Sequence, residues 1–150
     1  MLILTVICCI LVASLAFAAT CHAVSEGSGA DETNIKLIVD ETEISAVLNN
    51  SRSSRALVDR LPLSLRLQKY DHDYCGMMAE PLPYDKNDLR NGWSNGDISF
   101  EAGGNYFAIL YKDEEISQQF GNLVTLGRIT APLSVMDTLD QQITVRIELD

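Results

Sequence analysis

The apolar positions of this chain change their spacing twice. Residues 2–19 form an almost unbroken apolar run, interrupted only by Thr5 and Ser14. A short stretch rich in Ser, Gly and Ala follows at 24–30, with the composition of a flexible linker. From residue 34 onward the apolar runs are short, and many alternate with polar residues. In 42–48, Ile44, Ala46 and Leu48 alternate with Glu43, Ser45 and Val47, the period of two of a half-buried strand. The run 34–39 is also β-rich, and Asp40-Glu41 between the two reads as a tight turn, so together they predict a hairpin. Leu63, Leu65 and Leu67 alternate with Ser64, Arg66 and Gln68. Ile143, Val145, Ile147 and Leu149 alternate in the same way at the end of the chain.

Other segments carry different signals. Residues 54–61 predict a helix capped by Ser51 or Ser53 and stopped by Pro62. Asn49-Asn50-Ser51 is formally a glycosylation sequon, but it reads better as a turn with its cap. Residues 132–139 predict a second short helix with proline near its first turn. Between residues 70 and 95 the pattern is irregular: a short strand over 75–80, then a long loop. Asn95-Gly96-Asp97 and Gly103-Gly104-Asn105 are turn signals. The run 106–111 is apolar throughout, which predicts a strand buried on both faces. Strand 123–129 holds Gly127, a mark of a bulge or a close backbone approach. Many short strands with two helices predict a mainly β fold, a barrel with helices capping its ends.

Charge alters this picture in two ways. The formal net charge of the 150 residues is −10, and residues 1–23 contain no Asp, Glu, Lys or Arg, so the rest carries all of it. A single domain this acidic is unsuited to nucleic acid, whose phosphates demand clustered Lys and Arg. The uncharged start also stands apart as a leader. Ala16-Phe17-Ala18 matches a small-residue cleavage pattern, and Cys21-His22-Ala23 offers a second stop. The organisation expected is therefore a signal peptide or membrane leader at 1–23, a linker at 24–33 and one domain at 34–150. Cys21 follows the apolar run where a bacterial lipid anchor would sit, although Thr20 suits a lipobox poorly. Each version of the leader places the domain outside the cytoplasm, secreted or tethered to the membrane through the leader or Cys21.

The order of several short motifs resembles a known family. Leu61-Pro62-Leu63-Ser64-Leu65 follows a short helix. Gly96-Asp97-Ile98 comes next, and then the glycine turn with Asn105 before Phe107-Ala108-Ile109-Leu110-Tyr111-Lys112-Asp113. Leu126-Gly127-Arg128-Ile129 precedes the last helix and strand. In this order they resemble the cyclophilin-like β-barrel family of small bacterial proteins, over about residues 34–149. The resemblance implies a closed eight-stranded barrel capped by two short helices. It does not imply prolyl isomerase activity, because the Phe-His-Arg segment that true cyclophilins carry ahead of the Gly-Asp strand has no counterpart before Gly96-Asp97. Family members sometimes sit beside flavodoxin-like proteins, so an accessory role to such a redox partner is a further implication.

Candidate chemistry is sparse. Asp71-His72-Asp73-Tyr74-Cys75 is the densest reactive cluster, yet it lacks the spaced ligands of a metal site and reads as a solvated loop. Cys75 lies among carboxylates that disfavour a thiolate, so it reads as a structural thiol. No phosphate-binding glycine motif, G-x-x-x-x-G-K-[ST] or G-x-G-x-x-G, occurs, and no cofactor is implied. Tyr84, Trp93 and Tyr106 lie in or beside loops, where exposed aromatics mark binding surfaces, with Met78 as an adaptable neighbour. The competing role for all four is core packing. Arg128 beside Gly127 reads as half of an ion pair. The expectation is a non-catalytic binding module for a small ligand or peptide. A residual prolyl isomerase is the alternative.

Overall fold

The computed structural model describes residues 31–150. The leader, the cleavage patterns and Cys21 lie outside the described residues. Nine strands and one short α-helix are present among those described: β1 Thr33–Val39, β2 Thr42–Leu48, α1 Arg52–Val58, β3 Leu63–Lys69, β4 Asp73–Met77, β5 Leu89–Arg90, β6 Asp97–Glu101, β7 Tyr106–Leu110, β8 Leu123–Ile129 and β9 Gln142–Leu149. The antiparallel order β2-β1-β9-β3-β4-β7-β6-β8 returns on itself through a β2–β8 pairing. Eight strands thus close a barrel, and β5 pairs with the first residues of β8.

Alternation supplies the core. Leu37, Ile44, Leu67, Ile98, Phe107, Val145 and their inward neighbours are fully buried within the ring. Each such side chain contributes roughly 1.5–3 kcal/mol relative to exposure. Closure depends on a local irregularity in β8. Ile98 faces Gly127 while Ser99 faces Thr125, so Leu126 is an extra residue on β8. The bulge lets Leu126 and Gly127 both lie on the inner side, and a Cβ on Gly127 would stand 1.9 Å from the Val47 carbonyl oxygen. Gly127 therefore meets both expectations for it, a bulge and a close approach. Outward beside it, Arg128 forks onto Glu32, at 2.6 Å and 3.2 Å.

The two ends of the barrel are closed differently. α1 joins the end of β2 to the start of β3, and a 3₁₀ segment, Leu133–Thr138, joins the end of β8 to the start of β9. Because β2 and β8 are antiparallel, these connections lie at opposite ends. Leu57 plugs one end and Met136 the other, both fully buried. The helix starts earlier than expected, at Arg52, because Ser51 is the cap: its hydroxyl accepts the Ser54 N–H at 3.2 Å. It also ends earlier, at Val58. The Arg60 and Leu61 N–H groups bond to the carbonyls of Leu57 and Val58, tightening the chain before Pro62 is reached. Asn49 donates its side-chain amide to the Thr125 carbonyl at 2.7 Å and accepts the Ser51 N–H, which supports the turn reading of that sequon. The second expected helix is 3₁₀, held by bonds such as Val135 N–H to the Pro132 carbonyl and lacking a side-chain cap.

β4 is displaced from its expected place at 75–80 and begins at Asp73. Pairing with β7, from Asp73 opposite Leu110 to Met77 opposite Tyr106, fixes its extent. Beyond it, residues 80–85 strap the side of α1. Ser53 Oγ donates to the Pro83 carbonyl at 2.7 Å, and Arg60 donates to the carbonyls of Glu80 and Pro81. Among the described residues no helix is long and apolar enough to cross a membrane.

Candidate functional site

The apolar run of β7 is buried on both faces, as its composition predicts. Phe107 and Ile109 face the barrel interior, while Ala108 and Leu110 face outward. On that outer face β4 contributes Asp73 and Cys75, β6 contributes Glu101 and β8 contributes Leu123, all placed by strand register. Trp93 packs over Ala108, Leu110 and Leu123 as a second, smaller apolar cluster. Beside it lies a groove of about 510 Å³. Its floor is Cys75, Ala108, Leu110 and Leu123, and Tyr106 and Glu101 stand at one side. Tyr70, Asp71 and His72 come from the β3–β4 turn, Asp73 from the start of β4, and Phe120 from the segment ahead of β8.

Trp93 is held from several directions. Its indole N–H donates to the Lys112 carbonyl at 3.0 Å, and its own carbonyl accepts the buried Ser117 hydroxyl at 3.2 Å. Ser117 belongs to a 3₁₀ segment, Glu114–Gln119, that the sequence pattern did not announce. Gly92 allows this clamp: its φ is 76°, and a Cβ there would lie 2.3 Å from the Gln118 amide nitrogen. The Trp93, Phe120 and His72 rings are mutual neighbours, with centroids 5.4–5.8 Å apart. The His72 ring is oriented by a 2.7 Å contact from Nδ1 to Asp113 Oδ2.

The polar groups of the groove are acidic. Burial pushes the Asp73 carboxyl above its ordinary value, against the opposing pull of the Cys75 thiol, which hydrogen-bonds to it, and of nearby His72. Burial and the Asp73 charge push the Cys75 thiol up to about 12. Cys75 is therefore a neutral thiol in the groove floor, in keeping with a structural role. Glu101 accepts the N–H groups of Gly103 and Gly104 at 2.9 Å and 2.6 Å, which fixes its carboxylate at the groove's edge. Among the described residues no three metal-ligating side chains converge.

Of the four candidate residues, the groove brings together Trp93 and Tyr106. Tyr84 packs beside Phe100, at 6.4 Å between ring centroids, and Met78 is buried in the barrel core. Tyr84 belongs to the strap alongside α1, and Met78 precedes it. His72, Asp73 and Phe120 join the groove without having been singled out as binding residues. Phe120 carries no local signal, because only the fold brings it beside His72. Asp73 and Cys75 are two apart on a strand, a spacing that places them on one face once β4 is aligned with β7.

The cyclophilin-like family model matches residues 37–148. The chain belongs to the cyclophilin-like family. A solved structure agrees with the architecture: the solution structure of a hypothetical protein from Archaeoglobus fulgidus matches this cyclophilin-like chain with a TM-score of 0.63. The match covers 83% of this chain and 99% of that one at 14% sequence identity, so the likeness is one of fold. No curated protein sequence matches the chain.

Proposed function

We propose that this cyclophilin-like domain is a non-catalytic binding module whose outer-face groove takes a small ligand or a peptide side chain. The observation that carries the reading is the groove itself. It has an apolar floor, aromatic side chains around it, and a volume in the range of small-ligand sites. Three of the large hydrophobic side chains that remain exposed, Tyr70, Tyr106 and Phe120, stand around it. One feature favours binding over catalysis: the Cys75 thiol of the floor, pushed up to about 12, stays protonated and is a poor nucleophile. The leader at 1–23 supports an extracytoplasmic setting, secreted or lipid-anchored at Cys21.

The test uses Trp93, the only tryptophan of the chain. A fragment set and a capped proline tetrapeptide are titrated while Trp93 fluorescence is followed, and the same peptide is used in a prolyl isomerisation assay. The expected result is saturable fluorescence change with at least some of these probes and isomerisation at the spontaneous rate. Acceleration of isomerisation that disappears in Trp93→Ala would instead identify an enzyme.

A further inference from the structure

The groove is more than an apolar recess, because its charges are of one sign. Asp71, Asp73 and Glu101 line it, and none of the three takes part in a salt bridge among the described residues. Two are held in position by the fold, Asp73 by β4 and the Cys75 thiol, Glu101 by two backbone N–H groups of the adjacent turn. The lysines nearest in the chain stand outside the groove lining, in an adjoining recess that shares Tyr70 and Asp71 with it. There Lys69 Nζ lies over the Tyr74 ring and Lys112 Nζ over the Tyr111 ring, each 5.4 Å from the centroid. The one basic side chain in the lining, His72, is turned to Asp113 by its Nδ1.

Resting on the binding-module reading, we propose that the groove selects a cation on an apolar stem: the arginine or lysine side chain of an extended peptide. The alkyl stem would lie against Ala108, Leu110 and Leu123. The charged head would meet the carboxylates and the π-systems of Trp93, Tyr106 and Phe120, surroundings that attract ammonium and guanidinium groups. An anionic ligand would add a like charge to three carboxylates, two of them fixed, and a neutral one would leave them uncompensated. A peptide is favoured over a small free amine by the exposed apolar surface in the groove's lining and beyond it. Tyr70, 57% exposed, belongs to the lining, and Met77, 65% exposed, lies outside it as the register partner of Tyr106. Neighbouring peptide residues would cover side chains that a lone amine leaves in water.

The experiment is a Trp93 fluorescence titration of the full chain with three peptides, acetyl-Gly-Leu-X-Leu-Gly-amide, where X is arginine, citrulline or glutamate. Citrulline keeps the shape of arginine and removes its charge. The expected result is binding of the arginine peptide at least ~10-fold tighter than the citrulline one, with a loss of most of that margin in 0.5 M salt. The exposed Asp71→Asn change should reduce the margin without disturbing the fold. Equal binding of the arginine and citrulline peptides would overturn charge selection while leaving a binding module in place. Free arginine amide binding as tightly as the arginine peptide would overturn the peptide as occupant. Silence of Trp93 toward all three peptides and toward every neutral fragment would overturn the binding module as well.

Discussion

Asp73 and Cys75 illustrate how two ordinary residues become unusual through position alone. Each faces outward from β4 and is partly buried, Cys75 against the Trp93 cluster, so the charged form of both is disfavoured. For Asp73 the folded carboxyl ionises at higher pH than the unfolded one. Its contribution to stability is therefore fully present below the ordinary aspartate range and is lost as pH rises through the folded value. Asp73→Asn should raise the melting temperature at pH 7, by no more than about 4 °C, and change it little at pH 3. Thermal scans at the two pH values check this, and a larger gain at pH 3 would reverse the assignment. The Cys75 thiol, pushed up to about 12, should react with iodoacetamide at pH 8 at least ~100-fold more slowly in the native protein than in denaturant. Peptide mapping of the alkylated protein isolates that one site.

At the scale of elements, the barrel closes at the seam between β2 and β8. Three residue pairs make it, and one of them is Leu48 with Gly127. Gly127→Ala forces a methyl group onto backbone atoms of Val47 and Leu48, which cannot yield as a side-chain end can. A destabilisation of about 1–3 kcal/mol is expected, read from the urea midpoint. Gly121→Ala is the control, since its added carbon meets only the Asn91 side chain. The alternating strands β2, β3 and β9 were legible because their inward residues are apolar and their outward ones polar. β4 was misplaced because its outward residues include Asp73, whose charge imitates a loop while the strand pairing with β7 continues beneath it. The helix at α1 was legible from its caps, but its end was not: tightening of the last turn, rather than Pro62, stops it.

For the whole molecule, the address and the groove are separate questions. The reading of the leader is tested by the intact mass of the protein recovered from its host in membrane and soluble fractions. A tethered lipoprotein should appear in the membrane fraction with a diacylglyceryl mass on a chain starting at Cys21. Free secretion should give a soluble chain starting at Ala19 or Val24. An uncleaved chain in the membrane would identify the leader as an anchor and remove cleavage from the proposal.

The linear chain by itself determined the mainly β class, the strand alternation, a serine cap at Ser51 or Ser53 and the special place of Gly127. These depend on periodicity and on single-residue conformational preferences, which act over a few neighbouring residues. It also set the formal net charge of −10. Closure of the barrel, the parity of β8 and the groove belong to the tertiary structure. His72 meets Phe120 and Trp93 meets Ala108 only because β4, β7 and β6 lie side by side, bringing together residues far apart in the chain. No local pattern encodes such a meeting: each side chain is unremarkable on its own segment, and the site exists only where the strand pairing puts their outward faces together.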